Sequence, residues 1–276
     1  MKNILRCGIS SNVLKTIAII AMVIDHVGFY FSSMIPVPIY AICRYIGRIA
    51  MPIFVYLLVQ GFFHTKSFKK YITRMSILAV ITQLLITILM LVNIKLVPEY
   101  TVAKQVYLNG NILFSFVISL GVMKLLHEDI LIKKWAYTKN MSIKIILVAV
   151  TLLATIFIPL DYGIEVVILS ILMYYIEKLR IKLMIEKNNK AVSVKSILLN
   201  TVNDEKIKII YLTLILLSIS TLIMYFNASL TVLLSILPIA LYNMERGKVN
   251  MKYIYYIIFP LQHILLYSVA MLITLT

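Results

Sequence analysis

Cysteine, glycine and acidic residues are scarce in this sequence, and these shortages limit what the chain can be. Its 276 residues include 2 cysteines, 8 glycines and 11 aspartates and glutamates. The cysteines, Cys7 and Cys43, fit neither a disulfide framework nor the ligand spacing of a zinc site. No phosphate loop, metal-ligand cluster or Ser-His-Asp order occurs. We therefore expect no metal site, and none of the common soluble-enzyme motifs is present.

Apolar residues dominate the composition instead. They make up 62% of the chain, and the mean hydropathy is +0.97. A soluble domain of this length could not bury so much apolar surface, so lipid must solvate most of it. Helices satisfy their own backbone hydrogen bonds in lipid, and no pattern of short alternating strands indicates a barrel. The composition therefore predicts an all-α integral membrane protein.

Apolar stretches, counted in windows of about 20 residues, predict a polytopic bundle of about nine transmembrane helices. No internal repeat and no soluble domain is apparent, so residues 1–276 are interpreted as one transmembrane domain. The most polar stretch, residues 184–206, is predicted to be a cytoplasmic loop with some amphipathic helix. The predicted spans are residues 13–34, 40–64, 67–92, 111–126, 142–159, 161–179, 207–226, 228–243 and 251–274.

Basic clusters alternate with nearly uncharged loops along the chain. The 27 lysines and arginines give a formal net charge of +16, and their clusters fall in every second connection between predicted spans. The positive-inside rule then predicts a cytoplasmic amino terminus and a carboxyl terminus outside. Contact with anionic lipid explains the basic charge without nucleic acid as a partner. The first span lacks a small-residue cleavage site, so we expect it to be retained.

Asp25 and His26 are adjacent inside the first predicted span. Ionisable groups within a bilayer are costly, so such a pair indicates a functional site. Lys15 lies 11 residues before His26, a rotation within roughly 20° of three full helical turns, so both residues share one face about 16 Å apart. Asp25 lies about 100° around the helix and can therefore meet another helix. Packing roles for His26 and Lys15, as a buried histidine and an interfacial anchor, remain open.

Arg44 and Arg48 lie one turn apart on the second predicted span, at the depth of Asp25 and His26. Two interpretations remain open for them. They can form a structural ion pair with Asp25, or they can form a cationic pocket that binds an anion or stabilises an oxyanion. Pro52, which follows, is expected to kink this span.

Five further polar residues are weaker candidates. Asn111 starts the fourth predicted span and is also explained as a helix cap, as is Asp161 before the sixth. Gln60 and His64 lie one turn apart at the cytoplasmic end of the second span. His263 lies near the middle of the last span, where a neutral packed imidazole and a catalytic group are both possible.

Two sequence blocks in the first two spans carry a family resemblance. They read LKTIAIIAMVIDHVGFYF and RYIGRIAMPIFVYLLVQGFFHT, and they closely resemble the TraX family, membrane proteins named for the acetylase of conjugative F-type pilin. Further blocks match in the same order, so the resemblance covers nearly the whole chain. These blocks are NILFSF from residue 111, DYG from 161, LYNMERG from 241 and KYIYYIIFPLQHILLY from 252.

The resemblance implies acetyl transfer from acetyl-CoA to an acceptor at or across a bacterial cytoplasmic membrane. Larger integral-membrane acyltransferases, which the family resembles, carry an Arg-x10-His motif in the first span, and Lys15 and His26 have that spacing. His26 would be the general base, Arg44 or Arg48 would stabilise the oxyanion, and Asp25 would fix the arginines.

The same resemblance predicts where the donor binds and where this chain departs from the family. The CoA phosphates would lie near Lys15, with the pantetheine arm extending towards His26. Gln60 stands where family members usually have glutamate, and Gln262 stands where they often have histidine, which weakens a transferred role for His263. Lysines and arginines that would assist at the phosphate end are Lys69, Lys70 and Arg246.

Two other classes of function remain open. Buried Asp, His and Arg side chains also form proton relays in transporters and flippases, although no symmetric pair of broken helices is apparent. An assembly factor without chemistry is the third class. If the chain is an acetyltransferase, its acceptor is either a peptide amino terminus or a cell-surface glycan.

Overall fold

The structure is a computed structural model, and it describes residues 8–96, 109–128, 137–188, 205–226, 229–247 and 252–275. Within these ranges the β-type pairings are two isolated bridges, so the predicted all-α class is confirmed. The helices are α1 (Ser11–Tyr30), α2 (Val37–Gly47), α3 (Ala50–His64), α4 (Phe68–Leu96), α5 (Ile112–His127), α6 (Tyr137–Phe157), α7 (Gly163–Asn188), α8 (Glu205–Phe226), a 3-10 helix (Leu230–Ser235), α9 (Ile236–Ala240) and α10 (Lys252–Leu275).

Among the described residues, six helical segments are long and apolar enough to cross a membrane. The predicted count of nine is not confirmed. α5 and the segment Leu230–Ala240 are shorter apolar helices, and α7 carries Glu177 and Lys178 inside the predicted span. Cys7 and most of the predicted loop 184–206 lie outside the described residues. The six segments are Ser11–Tyr30, Val37–His64, Phe68–Leu89, Tyr137–Phe157, Glu205–Tyr225 and Ile254–Thr274.

The second predicted span consists of two consecutive helices. α2 ends at Gly47 and α3 begins at Ala50. Pro52 explains this position, because it lacks the N–H that would bond to the Arg48 carbonyl four residues earlier, and its ring crowds that carbonyl. The break therefore precedes the proline by one turn, and Pro52 lies in the first turn of α3, where proline is tolerated.

The chain forms two compact units, and the first contains Met1–His64 and Leu172–Thr276. In this unit α1 packs against α2, α3 and α10. α1 and α2 approach each other closely at Gly47, where an added Cβ would lie 2.2 Å from the Cβ of Asp25. Only glycine leaves room there for the Asp25 side chain, so the sequence of α2 allows this carboxylate to enter the helix interface.

Residues 241–247 of the first unit form a loop against the start of α1. The Ile9 N–H donates to the Leu241 carbonyl at 2.8 Å, and the Ser11 N–H donates to the Glu245 carbonyl at 2.7 Å. Gly247 has a φ of 91° and lies against Ser10, the N-cap of α1. Since L side chains rarely adopt this conformation, glycine fits the turn. The pairing joins two segments that were predicted to lie on the same side of the membrane.

The second unit, Thr65–Ile171, has a comparable junction at its predicted outer end. Asn111 is the N-cap of α5 and accepts a hydrogen bond from the Leu113 N–H at 3.1 Å, so its predicted capping role is confirmed. Gly110 forms a bridge with Leu160, and the Asp161 N–H donates to the Gly110 carbonyl at 2.8 Å. Two loops that were predicted to lie outside the membrane are thereby joined.

Candidate active site

An ion pair joins α1 to α2. The Nη1 atom of Arg44 lies 2.8 Å from Oδ2 of Asp25, and the two side chains are 22% and 13% exposed. The Arg44 guanidinium also lies over the ring of Phe29, 5.8 Å from its centroid. Arg48 adds a second positive charge close enough to act on the carboxylate. Of the two interpretations that the sequence left open for the arginines, the structure shows the ion pair with Asp25, and Arg44 is the partner.

His26 faces α10 and not its sequence neighbour Asp25. The centroid of its ring lies 4.5 Å from that of His263 and 6.3 Å from that of Tyr30. Tyr30 Oη and His263 Nδ1 are 2.8 Å apart, within hydrogen-bond distance. Tyr30 and His263 are buried, whereas His26 is partly exposed although its Nδ1 atom is inaccessible. The structure thus joins His26 and His263, and it adds Tyr30, which the sequence analysis missed.

Gln262 completes a group that we name the α1–α10 cluster: His26, Tyr30, Gln262 and His263. Its carboxamide lies beside the His26 ring but does not reach good hydrogen-bond geometry. Within the part of the chain that the structure describes, neither amide atom of Gln262 nor Nδ1 of His26 has a hydrogen-bond partner. Some of the buried polar atoms of this cluster therefore lack a hydrogen bond.

Lys15 lies on the face of α1 that His26 uses, as their spacing predicted. Its Nζ atom lies 5.6 Å from the centroid of the Tyr255 ring on α10, the same helix that His26 contacts through His263. Arg246, in the loop against the start of α1, is near enough to act on the Lys15 charge. Two cations therefore lie at one end of the α1–α10 pair, and the histidines lie further along it.

The remaining predicted candidates lie in other parts of the fold. His64 ends α3, with its Nδ1 atom 2.6 Å from the Gln60 carbonyl oxygen. α7 begins at Gly163, so Tyr162 and not Asp161 occupies the N-cap position. Among the described residues, no group of three or more His, Cys, Asp or Glu side chains is arranged to hold a metal ion. Four predicted candidates belong to the second unit: Lys69, Lys70, Asn111 and Asp161.

A second buried polar group, which the sequence analysis missed, joins α3, α7 and α8. We name it the Glu177 cluster: Tyr56, Gln60, Glu177, Arg180 and Tyr211. Gln60 Nε2 donates to Glu177 Oε2 at 3.0 Å, and the Tyr211 hydroxyl donates to the same oxygen at 2.8 Å. The Arg180 Nε–H donates to both Glu177 oxygens, at 3.0 and 3.1 Å. Glu177 and Arg180 are each only 1% exposed, so the pair is part of the protein interior.

This cluster corrects the placement of Arg180. Arg180 follows the sixth predicted span, residues 161–179, and was therefore expected in a connection, but α7 continues to Asn188 and Arg180 is buried on it. Glu177 and Arg180 are three residues apart and therefore neighbours on one helix face. That spacing, within an otherwise apolar helix, is the signal that could have indicated a buried ion pair.

Comparison with known proteins identifies relatives over different lengths. The TraX protein family model matches residues 10–270. A probable fimbrial assembly protein, FimC of serogroup H1 from Dichelobacter nodosus, is 41% identical over 70 residues, which are 25% of this chain and 28% of the relative. An uncharacterised protein of Rickettsia prowazekii strain Madrid E is 44% identical over 78 residues, which are 28% of this chain and 27% of the relative. No solved structure matches the chain.

The matched segments of these two curated relatives are therefore less than a third of their lengths. The family model, in contrast, includes the α1–α10 cluster, the Asp25–Arg44 pair and the loop 241–247 in one match. The matched residues also contain the six described helical segments that are apolar enough to cross a membrane. Only the end of the last segment, in α10, lies beyond the match. The chain belongs to the TraX family and is a helical, multi-pass membrane protein.

Proposed function

We propose that this protein is a membrane acyltransferase that moves an acetyl group from acetyl-CoA to an amine or hydroxyl acceptor. The observation that carries the proposal is the packing of His26 against His263 on a helix pair whose other end carries Lys15 and Arg246. A base and an anion-binding end on one helix pair suit a donor that has phosphates at one end and a thioester at the other.

His26 is the general base of the proposed reaction. It accepts the proton of the acceptor N–H or O–H while the acceptor atom bonds to the carbonyl carbon of the thioester. The tetrahedral intermediate then collapses, the C–S bond breaks, and the proton passes from His26 to the CoA sulfur. The hydrogen bond between Tyr30 and His263 holds the second imidazole against the first, which orients His26.

The Asp25–Arg44 pair holds α1 against α2 beside the base. Arg44 and Arg48 supply positive charge to this region, which favours the negative charge that develops on the thioester oxygen. At the other end of α1, Lys15 and Arg246 bind the CoA phosphates, because two adjacent cations attract a polyanion. The role of Lys69 and Lys70, which belong to the second unit, stays a sequence-based prediction.

The acceptor in this proposal is a peptide amine of a fimbrial or pilus subunit. The name of the Dichelobacter nodosus relative, a probable fimbrial assembly protein, supports this choice. A hydroxyl of a cell-surface glycan is the other acceptor that the same chemistry allows. The cell membrane is the proposed location, since both acceptors are exported molecules.

Radiolabelled acetyl-CoA tests the proposal directly. Membranes that contain the wild-type protein should transfer label to a membrane peptide or glycan, which gel and thin-layer separation would distinguish. His26→Ala should reduce the rate by about 10²- to 10⁴-fold, the usual contribution of a general base. His127→Ala, which changes an exposed histidine on α5, is the matched control and should retain the wild-type rate.

The outcome separates the three classes of function. A transporter or an assembly factor would leave no acetylated product in wild-type membranes. If product forms and His26→Ala keeps more than about a tenth of the wild-type rate, the base assignment is wrong. Circular dichroism of purified His26→Ala should match wild type, because the substitution leaves both α1 and the neighbouring Asp25–Arg44 ion pair in place.

A further inference from the structure

The carboxamide of Gln262 is an unusual group in the interior of the first unit. Gln262 is 6% exposed, and both Nε2 and Oε1 are inaccessible. Within the described residues neither atom has a hydrogen-bond partner. Leaving a buried donor or acceptor unsatisfied costs about 1–3 kcal/mol, so proteins rarely retain such a group without a role.

The surroundings of Gln262 are those of the candidate active site. It precedes His263 on α10, and its side chain interacts with the ring of His26. Nδ1 of His26 is likewise buried without a partner in the described part of the chain. His26 as a residue is partly exposed, although its Nδ1 atom beside the carboxamide is inaccessible.

Gln60 provides a comparison inside the same unit. Its Nε2 atom donates to Glu177 at 3.0 Å and to Tyr211 at 3.3 Å. A buried glutamine with a packing role thus has a bonded donor in this protein, and Gln262 has not. The free N–H groups of Gln262 match an acceptor oxygen that belongs to a ligand.

We infer that Gln262 binds the carbonyl oxygen of the transferred acyl group, with an Nε2–H donating to that oxygen while His26 acts as base. This inference rests on the proposed acyltransferase function and assigns one of its contacts. Side-chain amides are effective donors to a developing oxyanion in sites that exclude water. Nη1 of Arg44 is bonded to Asp25, whereas the Gln262 carboxamide beside His26 has no partner among the described residues, so it can donate to the oxygen while the arginines add positive charge nearby.

Ligand binding tests this contact without knowledge of the acceptor. The probes are a ketone analogue of acetyl-CoA, in which methylene replaces the sulfur, and S-ethyl-CoA, which lacks the carbonyl oxygen. Isothermal titration calorimetry of the full chain in lipid nanodiscs would measure both. Wild type should bind the ketone analogue about 3- to 10-fold more tightly, the effect of one hydrogen bond.

Two variants of similar side-chain length remove the donor. Gln262→Met has no polar atom, and Gln262→Glu keeps the shape but, when ionised, has acceptors only. Both should bind the two analogues equally, with the affinity for S-ethyl-CoA close to wild type for Gln262→Met. Its melting temperature should stay the same or rise, because an unsatisfied amide has been removed.

The possible results separate this inference from the proposed function. If wild type binds neither analogue, the acyltransferase proposal fails and the inference fails with it. If wild type binds both equally, or the variants retain the preference, CoA binding stands and the role of Gln262 is refuted. A lower melting temperature of Gln262→Met with an unchanged preference would assign Gln262 to packing, with a bound water as its partner.

Discussion

The two buried polar clusters of the first unit differ in how fully their hydrogen bonds are satisfied. In the Glu177 cluster, both carboxylate oxygens accept bonds from the surrounding side chains, and of its buried side-chain atoms Gln60 Oε1 is left over among the described residues. In the α1–α10 cluster, three buried atoms of His26 and Gln262 have no partner in that same part of the chain.

This difference indicates different roles for the two clusters. A nearly satisfied network offers few free donors or acceptors to a ligand, and removing one charged member leaves its buried partner unpaired. A cluster with unpaired donors and acceptors can form hydrogen bonds to a bound ligand. We therefore expect the Glu177 cluster to contribute to stability and the α1–α10 cluster to serve the proposed reaction, and the predictions below test this contrast.

Glu177→Ala should produce the largest loss of stability. It leaves the buried Arg180 without its partner, which costs about 3–5 kcal/mol. Chemical unfolding in detergent micelles, followed by circular dichroism, would measure the change. Glu186→Ala on the same helix is the control, because Glu186 is 59% exposed and its pair with Lys182 should contribute under about 1 kcal/mol. Equal losses for the two variants would contradict a structural role for the cluster.

Gly47→Ala should have the next largest effect. An added Cβ would overlap Asp25, and such overpacking costs about 1–3 kcal/mol. Because Asp25 precedes His26 on α1, the rate of the proposed acetyl transfer should fall as well. Gly121→Ala is the opposite control, since nothing lies within 4 Å of its added Cβ. Its stability should stay equal or rise by up to about 1 kcal/mol. A fall in its stability would show that the loss in Gly47→Ala need not come from the overlap with Asp25.

Lys15→Ala should change donor binding more than catalysis. Loss of one cation at the phosphate end should raise the KM for acetyl-CoA about tenfold, or roughly 1.4 kcal/mol, with kcat nearly unchanged. Lys15→Arg should keep the wild-type KM, and Lys182→Ala should do the same because that lysine is 73% exposed elsewhere. A fall in kcat at constant KM would show that Lys15 acts at the reacting centre and not in donor binding.

The orientation of the protein in the membrane can be measured with cysteine variants that should change neither stability nor rate. In a background of Cys7→Ser and Cys43→Ser, Ser33→Cys and Lys66→Cys place thiols at exposed positions on either side of α2 and α3. The positive-inside rule predicts that an impermeant maleimide labels position 33 in intact cells and position 66 only after lysis. The reverse pattern would invert the topology and place the Lys15 end outside.

Local spacing predicted much of the candidate site. The shared face of Lys15 and His26 and the Asn111 cap follow from local helical geometry, and the Asp25–Arg44 pair was one of two interpretations that followed from buried charges on adjacent spans. Helix identity followed from composition, because lipid permits few alternatives. These features need no knowledge of how distant segments meet, which is why one sequence sufficed.

The features that sequence reasoning missed depend on contacts between distant segments. Gln60, Glu177 and Tyr211 lie on three helices, and no periodicity within one helix reports that they meet. The break at Arg48 could have been placed one turn before Pro52 from proline chemistry alone. The predicted number of nine spans is not confirmed, and apolar length alone does not distinguish a short helix from one that crosses the bilayer.

The loop 241–247 has a consequence for how the protein is made. Ile9 and Ser11 receive their partners, Leu241 and Glu245, only after more than 230 further residues have been synthesised. His26 and His263 are similarly separated, so the contact between their rings cannot form before α10 has been synthesised. Residues 65–171, in contrast, form a continuous unit. Insertion order thus delays assembly of the α1–α10 cluster until α10 enters the membrane.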